Sequence, residues 1–293
     1  NKGKLATQMG TQIHASDNYR RMVELIRGGA IGTPSEARVW CSRMPEGGDY
    51  LPAVKPVPGH LDWDLWIGPA PYHPYNPGYL KGGCLGWNRF WDFGSGQIGD
   101  MGSHMLDMAY WGLDLTLPTS CQAEGSPISD ATCPQWLTAE CDHPKNDWRP
   151  AVTVHWYDGG KKPGMPSKVF NREDMFKGVI FKGDKGWLVA DYGYRMLMLR
   201  GDMTHYDSPK PDELIPPSPG HHKEWIIGCK TGKPPLCNFD YSGALIEHNL
   251  LALVACRVGK KLQWDSKELK APNCPEADEY IRKTYRKGWV LNG

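Results

Sequence analysis

Asp100 and His104 lie four residues apart in the run Gly94-Ser95-Gly96-Gln97-Ile98-Gly99-Asp100-Met101-Gly102-Ser103-His104-Met105-Leu106-Asp107, where a glycine-rich turn leads into an apolar helix. At 3.6 residues per turn, side chains at i and i+4 rise from one helix face, one above the other. An imidazole titrates near neutral pH, and a carboxylate beside it favours its protonated form. Such a pair can take a proton from a substrate hydroxyl or return one to it. The same spacing also suits a polar pair that caps and satisfies the start of a buried helix, and both readings stay open. Asp107 extends the series to D-x3-H-x2-D, but no further histidine or carboxylate joins it by motif, so no metal site is expected.

The residues just before this helix supply further candidates. Trp87, Arg89 and Trp91 precede the glycine turn, and Tyr75 and Tyr79 sit in the proline-punctuated arm before it. Aromatic faces with an arginine suit a polyhydroxylated ligand that is stacked and hydrogen-bonded; core packing is the other fate open to each. His14, in GTQIH, faces the same cleft or lies in a loop, and His221-His222 begins a later helix. Gly94 to Gly99 matches GxGxxG and opens a helix. A dinucleotide fingerprint comes directly after a hydrophobic strand and sits in a βαβ unit. Here Asn88 to Phe93 precedes it, and Pro118 and Pro127 interrupt the segment after it, so a tight turn delivering Asp100 into a cleft is the expectation.

Several elements must position these residues. Lys4 to Met9 reads as a strand that enters without a preceding element to pair with. Ser16 caps a helix whose Tyr19, Met22, Val23 and Ile26 keep i, i+3, i+4, i+7 spacing, ended by Gly28-Gly29. Ala37, Val39 and Cys41 alternate as a half-buried strand. From Pro45 to Gly99 regular structure is sparse, and a long ordered loop of this kind lines a site or packs on a partner subunit. The Asp100 helix runs to about Leu113. Strands come next at 120–124, 137–142, 151–157, 178–182, 187–190 and 195–199, with Asp158-Gly159 and Asp184-Lys185-Gly186 as hairpin turns. Helices return at 219–230, 241–258 and 275–285. Grouped strands with helices before and after indicate an α+β fold, a largely antiparallel open sheet with helices on one face.

With 293 residues and a net charge of +1, the chain has ample core and no basic run, which argues against nucleic acid or anionic membrane partners. No stretch approaches the ~18 apolar residues of a membrane span. Nine cysteines form no CxxC pair, so zinc spacing is absent and reduced, mostly buried thiols are expected.

The stretches ATQMGTQIHAS, VELIRGGAIG, LDWDLWIGPAP, FWDFGSGQIGDMGSHMLDMAYWGLDL, LCNFDYSGALIEHNLLALVACRVGKKLQWD and PEADEYIRKTYRKGW, in this order, resemble the Gfo/Idh/MocA family of sugar oxidoreductases along the whole chain. The resemblance implies an α+β domain of the glyceraldehyde-3-phosphate dehydrogenase-like C-terminal type, partnered with a Rossmann domain that binds NAD or NADP. Residues 1–15 would be the last strand of that nucleotide-binding domain, with the rest of it lying before Asn1, and residues 16–293 the substrate-binding and oligomerisation domain. In the family the Asp and His of a D-x3-H helix act beside a lysine in an E-K-P motif. Asp100 and His104 match the pair, whereas Lys55-Pro56 and Lys210-Pro211 lack the glutamate, so the lysine has no counterpart. By the same resemblance Gln12 would lie beside the cofactor, the substrate would be a sugar, cyclitol or sugar derivative, and the open sheet would pair copies of the chain. An NAD-dependent glycosidase, or a sugar-binding or assembly protein without catalysis, are the other functions it leaves open. Location would be cytoplasmic, or periplasmic by a twin-arginine signal.

Overall fold

Eight strands form one sheet in the order β7-β6-β5-β1-β4-β3-β2-β8. It is seen in a computed structural model that describes residues 5–166, 174–200 and 210–290. The strands are β1 (Pro34–Cys41), β2 (Ser120–Gly125), β3 (Leu137–His143), β4 (Val152–Asp158), β5 (Lys177–Gly183), β6 (Gly186–Ala190), β7 (Arg195–Leu199) and β8 (Leu262–Gln263). Among them the β1–β4 pair is parallel and the other pairs are antiparallel. The largely antiparallel sheet read from the alternation is therefore present, and the strands expected from residue 120 onward lie within a residue or two of their places.

Strand alternation sorts the side chains into two faces. Ala37, Val39 and Cys41 of β1, Val154 and Trp156 of β4, Val179 and Phe181 of β5, and Leu188 and Ala190 of β6 all enter the main core. That face is covered by three helices: α1 (Asp17–Arg27), α4 (Gly96–Gly112) and α6 (Phe239–Val258). The opposite face carries no helix among the described residues. Its centre is polar: Glu36 pairs with Arg38 at 2.8 Å, Lys182 at 3.2 Å and His155 at 3.5 Å. Toward β6 it turns apolar, where Trp40, Ile180 and Val189 form a separate cluster.

Local chemistry explains the helices. Ser16 accepts a hydrogen bond from the Tyr19 amide and so caps α1, whose Tyr19, Met22, Val23 and Ile26 are all buried. Asn238 caps α6 by accepting from the Asp240 and Tyr241 amides, and Gly259 closes it in the left-handed conformation. The arm before α4 holds α2 (Trp63–Ile67), capped by Asp62, and α3 (Cys84–Trp87). Trp63, Tyr75, Tyr79 and Phe90 knit it into its own aromatic core. α5 (His221–Thr231) precedes α6, and α7 (Asp278–Ile281) ends the regular structure.

Three expectations are corrected. Leu5–Met9 is not a strand: no sheet edge lies beside it, and the Met9 amide bonds to the Cys237 carbonyl instead. The helix expected over 275–285 is only a 3-10 turn, Pro275–Ala277, and the single turn of α7. Cys121 and Cys141 are not free thiols but a disulfide, brought together because they are directly opposed on β2 and β3. Of the other cysteines, Cys84 and Cys229 are exposed and the rest buried.

Candidate functional site

α4 carries the site because its entry turn admits only glycine at two points. Gly96 adopts φ +61°, the left-handed region. At Gly94 a Cβ would collide with the Asn88 backbone. The Gly96 amide donates to the Asn88 carbonyl at 2.8 Å, which fixes Asn88 against the first turn of α4. From there the Asn88 side chain donates to Asp100 Oδ2 at 3.0 Å, and Arg43 Nη1 donates to the same oxygen at 3.3 Å. Beside them a recess of about 300 Å³ is lined by Cys84, Asn88, Gly94, Ser95, Gly99 and Asp100.

One turn further along α4, His104 is half-buried, and its Nδ1 is buried without a hydrogen-bond partner. The Tyr19 hydroxyl pins its carbonyl at 2.6 Å. No hydrogen bond joins His104 to Asp100, whose carboxylate is taken by Arg43 and Asn88. The expectation that the carboxylate would favour the charged imidazole is reversed in sum. Burial pushes the His104 pKa below its ordinary value, and Asp100 and Asp107 pull it back only in part. His104 is therefore a neutral imidazole at neutral pH.

The sheet brings up residues that no sequence motif singles out. Arg43, Lys177 and Tyr192 each continue the helix-facing alternation one step past the strand residues Cys41, Val179 and Ala190. Cys41 pairs with Lys177, and Val179 with Ala190, so the three converge at one end of the sheet. Lys177 Nζ sits 4.4 Å from the Tyr192 ring centroid. Burial, then Cys41 and Asp100, raise the Tyr192 phenol above its ordinary value, so it stays protonated. The signal that could have found them is the alternation itself, extended past the strand ends.

The other expected residues are placed elsewhere. His14 is buried, its Nδ1 3.0 Å from both Asp107 carboxylate oxygens and its ring stacked 3.8 Å from Trp111. Tyr241 donates to the same carboxylate at 2.6 Å, so Asp107 is spent inside the core. Arg89 pairs with Glu46 at 2.9 Å. Trp91 donates to the Ser129 carbonyl and lies under Arg257. Tyr75 is buried edge-on to Trp63, and Trp87 packs edge-on to Trp66. Gln12 is exposed on the 3-10 turn Gln12–Ala15. His221 and His222 start α5, with Gln8 bonded to the His221 carbonyl. None of these is brought to Asp100. Among the described residues no cluster of histidine, cysteine or carboxylate is arranged for a metal ion, and no helix is long and apolar enough to cross a membrane.

A dinucleotide does not fit the Gly94–Gly99 turn. Two of its amides are already used, Gly94 on the Phe90 carbonyl and Gly96 on that of Asn88, and the turn is preceded by α3 rather than by the strand a dinucleotide fingerprint follows.

Comparison with known proteins agrees with this architecture. No curated protein sequence matches the chain. Residues 39–143 match the family model described as oxidoreductase family, C-terminal alpha/beta domain, of the Gfo/Idh/MocA group. Among solved structures, the WlbA dehydrogenase from Bordetella pertussis, in complex with NADH and UDP-GlcNAcA, aligns with TM-score 0.55 and 12% identity over 90% of this chain and 65% of its own. A levoglucosan dehydrogenase in complex with NADH and levoglucosan aligns with TM-score 0.53 and 12% identity, over 90% and 68%. GenD2 from gentamicin A biosynthesis, in complex with NAD, gives 0.51 and 15%, over 88% and 63%. The chain thus spans between 63% and 68% of the length of these structures. Over residues 39–143 the chain is similar to the C-terminal alpha/beta domain of the Gfo/Idh/MocA oxidoreductase family, and its fold is similar to that of these NADH-bound dehydrogenases.

Proposed function

We propose that this chain supplies the sugar-holding and proton-transferring part of an NAD(P)-dependent oxidoreductase acting on a sugar, cyclitol or sugar derivative. One observation carries the reading: α4 delivers Asp100 and His104 to the sheet end where Arg43, Lys177 and Tyr192 converge. A neutral imidazole is the form that accepts a proton from a hydroxyl, and burial keeps His104 in it. Asp100, held by Asn88 and Arg43, is a fixed acceptor that orients a neighbouring hydroxyl. Tyr192, kept protonated, is a donor on the same side. Oxidising the carbon also needs a hydride acceptor, which the family's dinucleotide supplies. The Gly94–Gly99 turn, preceded by α3 rather than a strand, is not the fingerprint for one, and we assign it to a nucleotide-binding unit, in this polypeptide or another. The uncovered sheet face is, on the same reading, where copies of the chain pair.

The test is turnover of the native protein with NAD⁺ or NADP⁺ across a panel of sugars and cyclitols. His104→Ala should lower kcat by roughly 10²- to 10⁴-fold while dinucleotide affinity stays unchanged. Unaltered turnover would remove His104 from the chemistry. Sugar binding with no turnover by the native protein would instead leave a carbohydrate-binding domain.

A further inference from the structure

We infer that the sugar taken at this site carries a negatively charged group, a carboxylate or a phosphate, which Arg43 and Lys177 hold beside Asp100. The inference rests on the sugar-binding reading above and specifies its substrate class. Arg43 has a side chain 34% exposed and spends one N–H on Asp100, at 3.3 Å. A guanidinium offers five N–H donors in a planar fork that matches carboxylate and phosphate oxygens. The rest of the fork has no partner among the described residues. Lys177 takes part in no ion pair among the described residues, and its ammonium contacts the Tyr192 ring. Both cations sit on the helix-facing side of the sheet end, facing α4.

The anions available to balance them are few. Asp100 is one carboxylate against two cations. Asp107 is turned away into His14 and Tyr241. Asp158, opposite Cys41 on β4, accepts from the Trp156 indole at 2.9 Å and from the Leu137 amide at 2.6 Å. Its burial lifts its pKa to about 7, so it is at most partly charged there. His104 is neutral. The site therefore holds one positive charge more than its own carboxylates compensate. A half-enclosed cation bonds most strongly to a charged acceptor, since charge-assisted hydrogen bonds are about twice as strong as neutral ones. Neutral sugars offer only hydroxyls, which leave that excess uncompensated.

The experiment is calorimetric titration of the native protein, without cofactor, at low ionic strength. The probes are D-glucuronate and D-galacturonate, D-glucose 6-phosphate and D-galactose 6-phosphate, and the parent D-glucose and D-galactose. At least one anionic sugar should bind roughly tenfold more tightly than its neutral parent. Carboxylate and phosphate probes separate the two kinds of anion. Lys177→Gln and Arg43→Gln should each abolish most of that preference, bringing anionic and neutral sugars to similar affinities, with thermal unfolding as the check that each variant is folded. Lys177 is the more telling variant, because it does not touch Asp100. Neutral sugars binding as well as every anionic one would overturn the inference and leave the proposed function standing. An anion preference that survives both substitutions would overturn the role of these cations. Binding of none of the six would overturn the inference and the sugar-binding reading together.

Discussion

His14 and His104 show how much a histidine's role depends on what lies against it. Both are partly or wholly enclosed, yet His14 has a carboxylate on Nδ1 and a tryptophan on its face, whereas His104 has neither. The first is a packed partner of Asp107; the second is a half-buried neutral imidazole one turn along α4 from Asp100. Removing one member of a buried pair leaves the other uncompensated and costs about 3–5 kcal/mol. His14→Ala should therefore destabilise the fold by that order in urea denaturation, because Asp107 keeps only the Tyr241 hydroxyl. A loss below about 1 kcal/mol would mean the pair is not formed. Sequence alone offers His14, Tyr75 and Trp91 as cleft residues because side-chain type says nothing about direction. Arg43, Lys177 and Tyr192 stay hidden in it because they meet only through the pairing of β1 with the distant β5–β6 hairpin.

At the scale of elements, most of the fold is legible. The strands from β2 to β7 and the helices α1, α4 and α6 emerge from period-2 and period-3.6 patterns, since burial against one face writes those periods into the sequence. Pairing partners are not written locally. Leu5–Met9 reads as a strand by composition but has no edge to join, and Cys121 meets Cys141 only through the register of β2 and β3. Within the arm, α2 and α3 are too short for a period to show. The glycine turn is structural, as its sequence context predicts, and its physical basis is testable. A methyl at Gly94 would press into the Asn88 backbone. Gly94→Ala should cost about 1–3 kcal/mol of stability, the usual range for overpacking, and shift the Asn88 side chain off Asp100. A variant as stable as the parent in thermal unfolding would show that the turn has room to spare.

Across the whole molecule, buried groups at opposite ends of β4, His143 beside Val152 and Asp158 at the far end, set opposing pH trends. His143 on β3 donates through Nδ1 to the Thr116 carbonyl at 2.8 Å, so its Nε2 accepts from His248 Nδ1 at 3.0 Å. Burial pushes His143 down to about 4 and His248 further below its ordinary value. A histidine kept neutral in the fold gives stability that is present above its ordinary pKa and lost as pH falls through the range down to the folded value. The window for His143 is therefore about 6.5 to 4. Asp158 runs the other way. Its pKa is raised by burial to about 7, so its contribution is present at low pH and lost as pH rises from about 4 to about 7. Between about pH 4 and 6.5 the two trends partly cancel. Asp158→Asn keeps an acceptor for the Trp156 indole or the Leu137 amide but removes the ionising group. It should leave the histidine pair unopposed, so that unfolding free energy rises with pH more steeply than in the parent, by about 1.4 kcal/mol per pH unit for one proton. Urea midpoints measured from about pH 4 to 6.5 give that slope. An unchanged slope would mean that Asp158 ionises in the fold as it does in the unfolded chain, and that burial does not outweigh the hydrogen bonds from Trp156 and Leu137, which favour its charged form.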